Sequence, residues 1–208
     1  MIDVAIEVKG IEEIMKALEG DVRTTKKALR KAINDTAKDA KKLIAHTANR
    51  EYAGTKIKLG ALNSAMSIQK ATMDSLQATI KAKNPANDLS DFKVTKGGKR
   101  SGVKAKVLKS SSLKPLQVGD IKAFLITFGS GHTAVVQRVS GKRAHSRKAG
   151  RKRTITRHNM ALKALYSVST TTMLGGEHGY GKVQNEIHNK LQQHIDHEVM
   201  KALTEGGK

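Results

Sequence analysis

Histidine is the only side chain in this sequence with the softness and spacing to suggest a metal, because the 208 residues contain no Cys. His188, His194 and His197 fall in the last helical stretch. His194 and His197 are three apart and share a helix face, so a pair of imidazoles is geometrically feasible. A metal centre needs a third ligand and supporting hydrogen bonds as well, so exposed polar histidines are the expectation. His132 follows Gly129-Ser-Gly131. That triplet lacks the Gly two residues before the Ser that a strained nucleophile elbow requires, since position 128 is Phe. Lys96-Gly-Gly-Lys-Arg-Ser-Gly102 lacks the spacing of a phosphate-cradling loop and reads as a polar turn. No catalytic residue, metal ligand or cofactor is expected.

The signal above background is a run of cations: Arg138, Lys142, Arg143, Arg147, Lys148, Arg151, Lys152, Arg153 and Arg157. Ammonium and guanidinium groups at this density repel one another and resist packing without counter-charge. The run is therefore expected to be an exposed loop or arm, at about 138–157, that a partner orders. It could track phosphates, dock on an acidic protein, or serve only as a solubilising loop. No aromatic residue interleaves with it, which disfavours single-strand stacking and leaves contact with duplex phosphates open.

The wider charge follows the same pattern. The net charge is +21, from 39 Lys and Arg against 18 Asp and Glu. Between Phe92 and Gly176 there are 19 bases and one acid, Asp120, a net +18. Such a surface calls for a polyanionic or acidic partner. Hydrophobic residues make up 38% and aromatics 3%, with three Phe and no Trp, so the core must be aliphatic. No run approaches the roughly 20 apolar residues of a membrane span, and no secretory leader is visible. No membrane association is expected, and the cytosol is favoured.

Elements must hold these groups in place. Ile2, Val4, Ile6 and Val8 alternate with polar or small residues, the period of a half-buried strand. Ile11 to Leu18 has helical spacing. A longer helix begins after Asp21, a plausible N-cap, with Val22, Leu29, Ile33, Ala37, Ala40, Leu43 and Ile44 on one face, and should end near Thr47. Residues 55–66 suggest another helix, interrupted at Gly60. Strands are expected over 76–83 and 103–107, and a hairpin over 121–139 that buries Phe124 and Phe128 in the core sheet. Residues 161–169 are ambiguous between strand and helix, and Gly175 to Gly181 read as a loop. Val183, Ile187, Leu191, Ile195, Val199 and Leu203 recur every four residues along a final helix. The expected fold is α+β: N-terminal helices and a long C-terminal helix on a small, mostly antiparallel sheet.

This layout, with Ile121-Lys-Ala-Phe-Leu-Ile-Thr-Phe-Gly129 followed by Ala134-Val-Val-Gln-Arg-Val-Ser-Gly-Lys-Arg143, resembles the minor tail protein Z family of tailed bacteriophages, also called tail completion proteins. The likeness is clearest at Ala123, Phe124, Gly131, Gln137, Arg138, Gly141 and Lys142. The basic stretch 143–157 and the His-rich last helix depart from it. The resemblance implies one tail-completion-like domain over 1–208. It implies a structural virion protein, not an enzyme, assembled in the host cytoplasm and acting at the head-proximal end of the tail or neck. It further implies a homo-oligomeric ring, of six copies, touching tail, terminator or neck proteins and phage DNA. The competing expectation is a non-specific nucleic-acid-binding protein that uses the basic middle segment.

Overall fold

The computed structural model describes residues 2–7, 22–83, 86–95, 102–143 and 160–206, so the helical stretch expected over Ile11 to Leu18 and the N-cap Asp21 lie outside the described residues. They form two compact units, each built from separated stretches of chain. Unit 1 comprises Met1–Glu51, Lys58–Pro85 and Ser169–Lys208, and unit 2 comprises Tyr52–Ile57 and Ala86–Val168. The fold is α+β, as the patterning predicts. Among the described residues no helix is long and apolar enough to cross a membrane.

In unit 1, β1 (Ile2–Glu7) and β2 (Met66–Gln69) flank β3 (Gln77–Ala82) in an antiparallel sheet. The register runs from Ile2↔Ala82 to Glu7↔Gln77 on one side and from Met66↔Ala82 to Gln69↔Thr79 on the other. Val4, Ile6, Met66, Ala78, Ile80 and Ala82 are buried. Their period of two puts them on one face, against which α1 (Val22–Glu51) packs. The helix expected over 55–66 is confined to α2 (Leu59–Ser64). Met66 is buried, Ser67 exposed and Ile68 half-buried, and this alternation on the β3 edge converts the following residues to strand.

Helix α1 buries Ala28, Leu29, Ala32, Ile33, Ala37, Ala40, Ile44, Ala45 and Ala48. Val22, expected on this face, is instead 52% exposed, and Leu43 is only partly buried. The helix also runs four residues past the expected end at Thr47. Asn49 disfavours a helix by only a few tenths of a kcal/mol, whereas Thr47 and Ala48 are buried there, and burial decides. The many alanines present a shallow surface to α4 (Lys182–Gly206), whose Val183, Ile187, Leu191 and Ile195 are buried. Val199 is half-buried.

The stretch expected as a loop around Gly175 to Gly181 is helical. Ser169 caps α3 (Thr170–Gly175), its Oγ accepting from the Thr172 amide at 3.1 Å. A π-helical turn, Glu177–Gly181, then leads into α4. A Cβ on Gly179 would lie 2.2 Å from the Met173 carbonyl oxygen and 2.4 Å from that of Leu174. Only glycine permits this approach.

In unit 2, β4 (Ala86–Asp88) pairs with β13 (Tyr166–Ser169). Strands β5 (Lys93–Val94), β6 (Lys104–Lys106) and β7 (Lys114–Pro115) form an antiparallel meander. Strands β8 (Gln117–Val118) and β9 (Ile121–Lys122) make a two-residue ladder. The expected hairpin is β10 (Phe124–Thr127) and β11 (Thr133–Arg143), with β12 (Met160–Ala164) on its far side. The ambiguous stretch 161–169 is thus two strands, β12 and β13, parted at Leu165, whose amide bonds to Val135 O and whose carbonyl accepts from Leu89 N.

Both faces of the β10–β11 hairpin are apolar. One contributes Val135, with Leu125 beside it, to a core of Leu89, Val103, Ala105 and Ala123. The other carries Phe124, Ala134 and Val136, with Ile126 packed on them. Phe124 lies opposite Val136 and is 3% exposed. Phe128, also expected in the core, is 42% exposed. It lies one residue beyond β10, in the turn closed by its own amide bonding to His132 O at 2.8 Å, so the pleat no longer directs it inward. Phe92 is also buried in this unit, 1% exposed and bridged through its backbone to Gly54.

Candidate functional site

The nine cations singled out from the sequence do not form one described patch. Arg138 is on β11, opposite Leu162 of β12. Its guanidinium carbon lies over the Phe124 ring, 5.5 Å from the centroid, a cation–π contact. Lys142 and Arg143 are on the same strand, whose register to β12 shifts between Arg138 and Arg143. The first six residues of the expected loop or arm are therefore strand. Arg147, Lys148, Arg151, Lys152, Arg153 and Arg157 lie outside the described residues.

The histidines are separated and given to different acids. His194 Nε2 lies 3.4 Å from Asp39 Oδ2 of α1, and His197 Nδ1 lies 3.3 Å from Glu198 Oε1. His188 is exposed. His132 Nε2 lies 3.3 Å from Asp88 Oδ2, and its ring stacks on Phe128 at 6.1 Å between centroids. Among the described residues, no three His, Asp or Glu side chains are grouped to hold a metal ion.

The most organised polar arrangement is the seam between α1 and α4. Lys31 Nζ lies 2.7 Å from Glu198 Oε1, and Lys182 Nζ lies 2.7 Å from Glu51 Oε2. Burial pushes the Glu198 carboxyl up, but the Lys31 hydrogen bond and charge, joined by His197, outweigh it and leave its pKa below the usual value. The Glu51 carboxyl is also held low, chiefly by the Lys182 hydrogen bond. Lys27, Lys31 and Lys201 rim a shallow groove here with Glu198 beneath. The acid is already satisfied by Lys31, so the chemistry is that of a helix clamp.

Sequence reasoning missed how sharply charge follows the structural division. Residues 52–57 and 86–168 contain 20 Lys and Arg and three acids, a net +17, while the other residues hold 19 and 15, a net +4. Asp88 lies beside His132, and Asp91 beside Lys56 at 3.6 Å. By sequence, unit 2 is therefore the polycationic one.

A family model described as prophage minor tail protein Z (GPZ) matches residues 8–206. No curated protein and no solved structure matches the chain.

Proposed function

The chain belongs to the prophage minor tail protein Z family and is a structural component of a phage tail; from that premise we propose that it completes the head-proximal end of the tail and helps join tail to head. The observation that carries this reading is the reach of the family match, residues 8–206, which includes parts of both units. In this proposal 1–208 acts as one tail-completion domain, since neither unit is continuous in sequence. It works as a ring of six copies through contacts with tail, terminator or neck proteins. A charge of +21 suits such an arrangement, because neighbours or DNA in the channel can neutralise it. The cations from Arg138 to Arg157 are the proposed contacts.

Tails assembled without this chain supply the test. Adding purified protein should convert them to tails that join filled heads, and gold-labelled protein should sit at the head-proximal end in micrographs. Label at the distal tip, or joining that proceeds equally well without the chain, would overturn the proposal. The concentration of charge in unit 2 favours a second reading, non-specific nucleic-acid binding as the primary role. A protein that ignores tails at every salt concentration yet holds DNA as a monomer would establish that reading instead.

A further inference from the structure

The β5–β6–β7 meander has two unlike faces. Val94 and Ala105 are in register. Ala105 is 7% exposed, and Val94 packs on the same core cluster. The pleat therefore sends Lys93, Lys104 and Lys106 to the other face. Lys93 is directly opposite Lys106, where facing side chains start roughly 4.5–5.5 Å apart. Lys104 is two residues along the strand, roughly 6.6–6.8 Å away on the same face. Its position is fixed by two bonds to Thr95: Lys104 N to Thr95 Oγ1 and Thr95 N to Lys104 O, each 2.9 Å. Lys106 Nζ donates to Lys109 O at 2.9 Å, which keeps that ammonium at the sheet. Among the described residues no acid pairs with Lys93, Lys104 or Lys106.

Like charges placed directly opposite on a sheet destabilise it. Three lysines gathered in this way, with no internal counter-ion, indicate a surface whose counter-charge comes from outside. We propose that Lys93, Lys104 and Lys106 form a docking face for the phosphate backbone of duplex DNA, distinct from the cations of 138–157. Composition favours phosphate over an acidic protein. Specific protein interfaces centre on aromatic and Arg anchors and are depleted in Lys, and this face presents neither. Lysine meets phosphate as a mobile point charge. Without an aromatic platform for unstacked bases, the duplex form is the one it fits. The inference does not depend on the role in tail completion.

The test uses the purified full-length chain and a mixed-sequence duplex, with affinity read by fluorescence anisotropy between 50 and 200 mM salt. The triple variant Lys93→Gln, Lys104→Gln, Lys106→Gln is compared with Lys42→Gln, Lys70→Gln, Lys83→Gln, which removes equal charge from exposed positions of unit 1. Each phosphate contact contributes a slope of about −0.9 in log affinity against log salt. The face variant should therefore be less salt-sensitive than wild type, which loses about 40-fold more affinity across this fourfold range. The control variant should keep nearly the wild-type slope. The face variant's melting temperature should not fall, because a repulsive pair has been removed. In wild type, duplex should protect Lys93, Lys104 and Lys106 from amine acetylation and leave Lys42 reactive. That footprint decides the matter if the variant misfolds. Equal slopes in the two variants, no duplex binding at all, or lost affinity for polyglutamate with duplex binding unchanged would each overturn the assignment. Failure here would leave tail joining untouched, and failure of tail joining would leave these slopes untouched.

Discussion

Lys31 and Glu198 are 167 residues apart in sequence and 2.7 Å apart in space. Glu198 is 8% exposed, and its lysine partner is about half in solvent. The pair fastens α1 to α4, with Asp39–His194 and Glu51–Lys182 further along the same seam.

Removing the lysine should leave a nearly buried carboxylate with the longer His197 contact beside it. Lys31→Met is expected to cost about 1–2 kcal/mol, the usual value for a charged hydrogen bond discounted for solvent at the lysine end. Acid should act at the same point. The folded pKa of Glu198 is depressed below its ordinary 4.5, so its contribution is complete above that value and is lost as pH falls through the lower, folded one. Melting curves between pH 6 and 3 should show a steeper acid loss for wild type than for Glu198→Gln. Parallel curves would mean that this pair contributes nothing.

The two hairpin phenylalanines should behave oppositely. Phe124→Ala empties a buried site and is expected to cost roughly 3–5 kcal/mol, enough to reduce soluble yield. Phe128→Ala trims an exposed ring at the turn and should stay within about 1 kcal/mol of wild type. Denaturant titration of both variants distinguishes them, and equal losses would contradict the burial difference.

How legible these features were in sequence depends on how local their causes are. The alternation at Ile2 to Glu7, the four-residue period of α4 and the register of the β10–β11 hairpin all arise from neighbours along the chain. Phe128 differs from Phe124 only by lying past the last ladder pair, Thr127↔Thr133, and composition does not reveal that boundary. Met66 to Gln69 is strand because β3 offers it an edge, a non-local cause. Of the candidate contacts, the density of cations was plain, but the Arg138 stack on Phe124 is tertiary. The Lys93–Lys106 pairing depends on a register between short strands that no periodicity announces.

Gly179 and Gly60 make a second contrast. Gly179→Ala drives a Cβ into two carbonyl oxygens, at 2.2 and 2.4 Å, and should force the π-helical turn to rearrange, lowering the melting temperature by several degrees. Gly60→Ala meets nothing within 4 Å inside α2 and should raise stability by about 0.4–1 kcal/mol. A tolerated Gly179→Ala would show that the turn has slack that this packing does not suggest.

Arg138 should matter to the fold as well as to any partner. Arg138→Gln removes the cation from over a buried ring and is expected to cost about 1 kcal/mol. Arg138→Gln in a Phe124→Leu background should cost less, and the double-mutant cycle measures the difference. Strict additivity would mean that the two side chains are neighbours without coupling.

The two apolar faces of the β10–β11 hairpin bear on how the chain is made. Ala123 to Phe128 is a six-residue window with no charge and no proline, the composition of a sticky strand. On a ribosome this window and most of β11 emerge before β12, because the rest of the cationic run is synthesised in between. A half-finished hairpin thus has no polar side to turn to water. Its solubility rests on the positive charge that follows, which keeps unfinished chains apart by mutual repulsion. Residues read as contacts for a mature partner would then serve first as gatekeepers during synthesis, and neutralising them wholesale should lower yield before it alters binding.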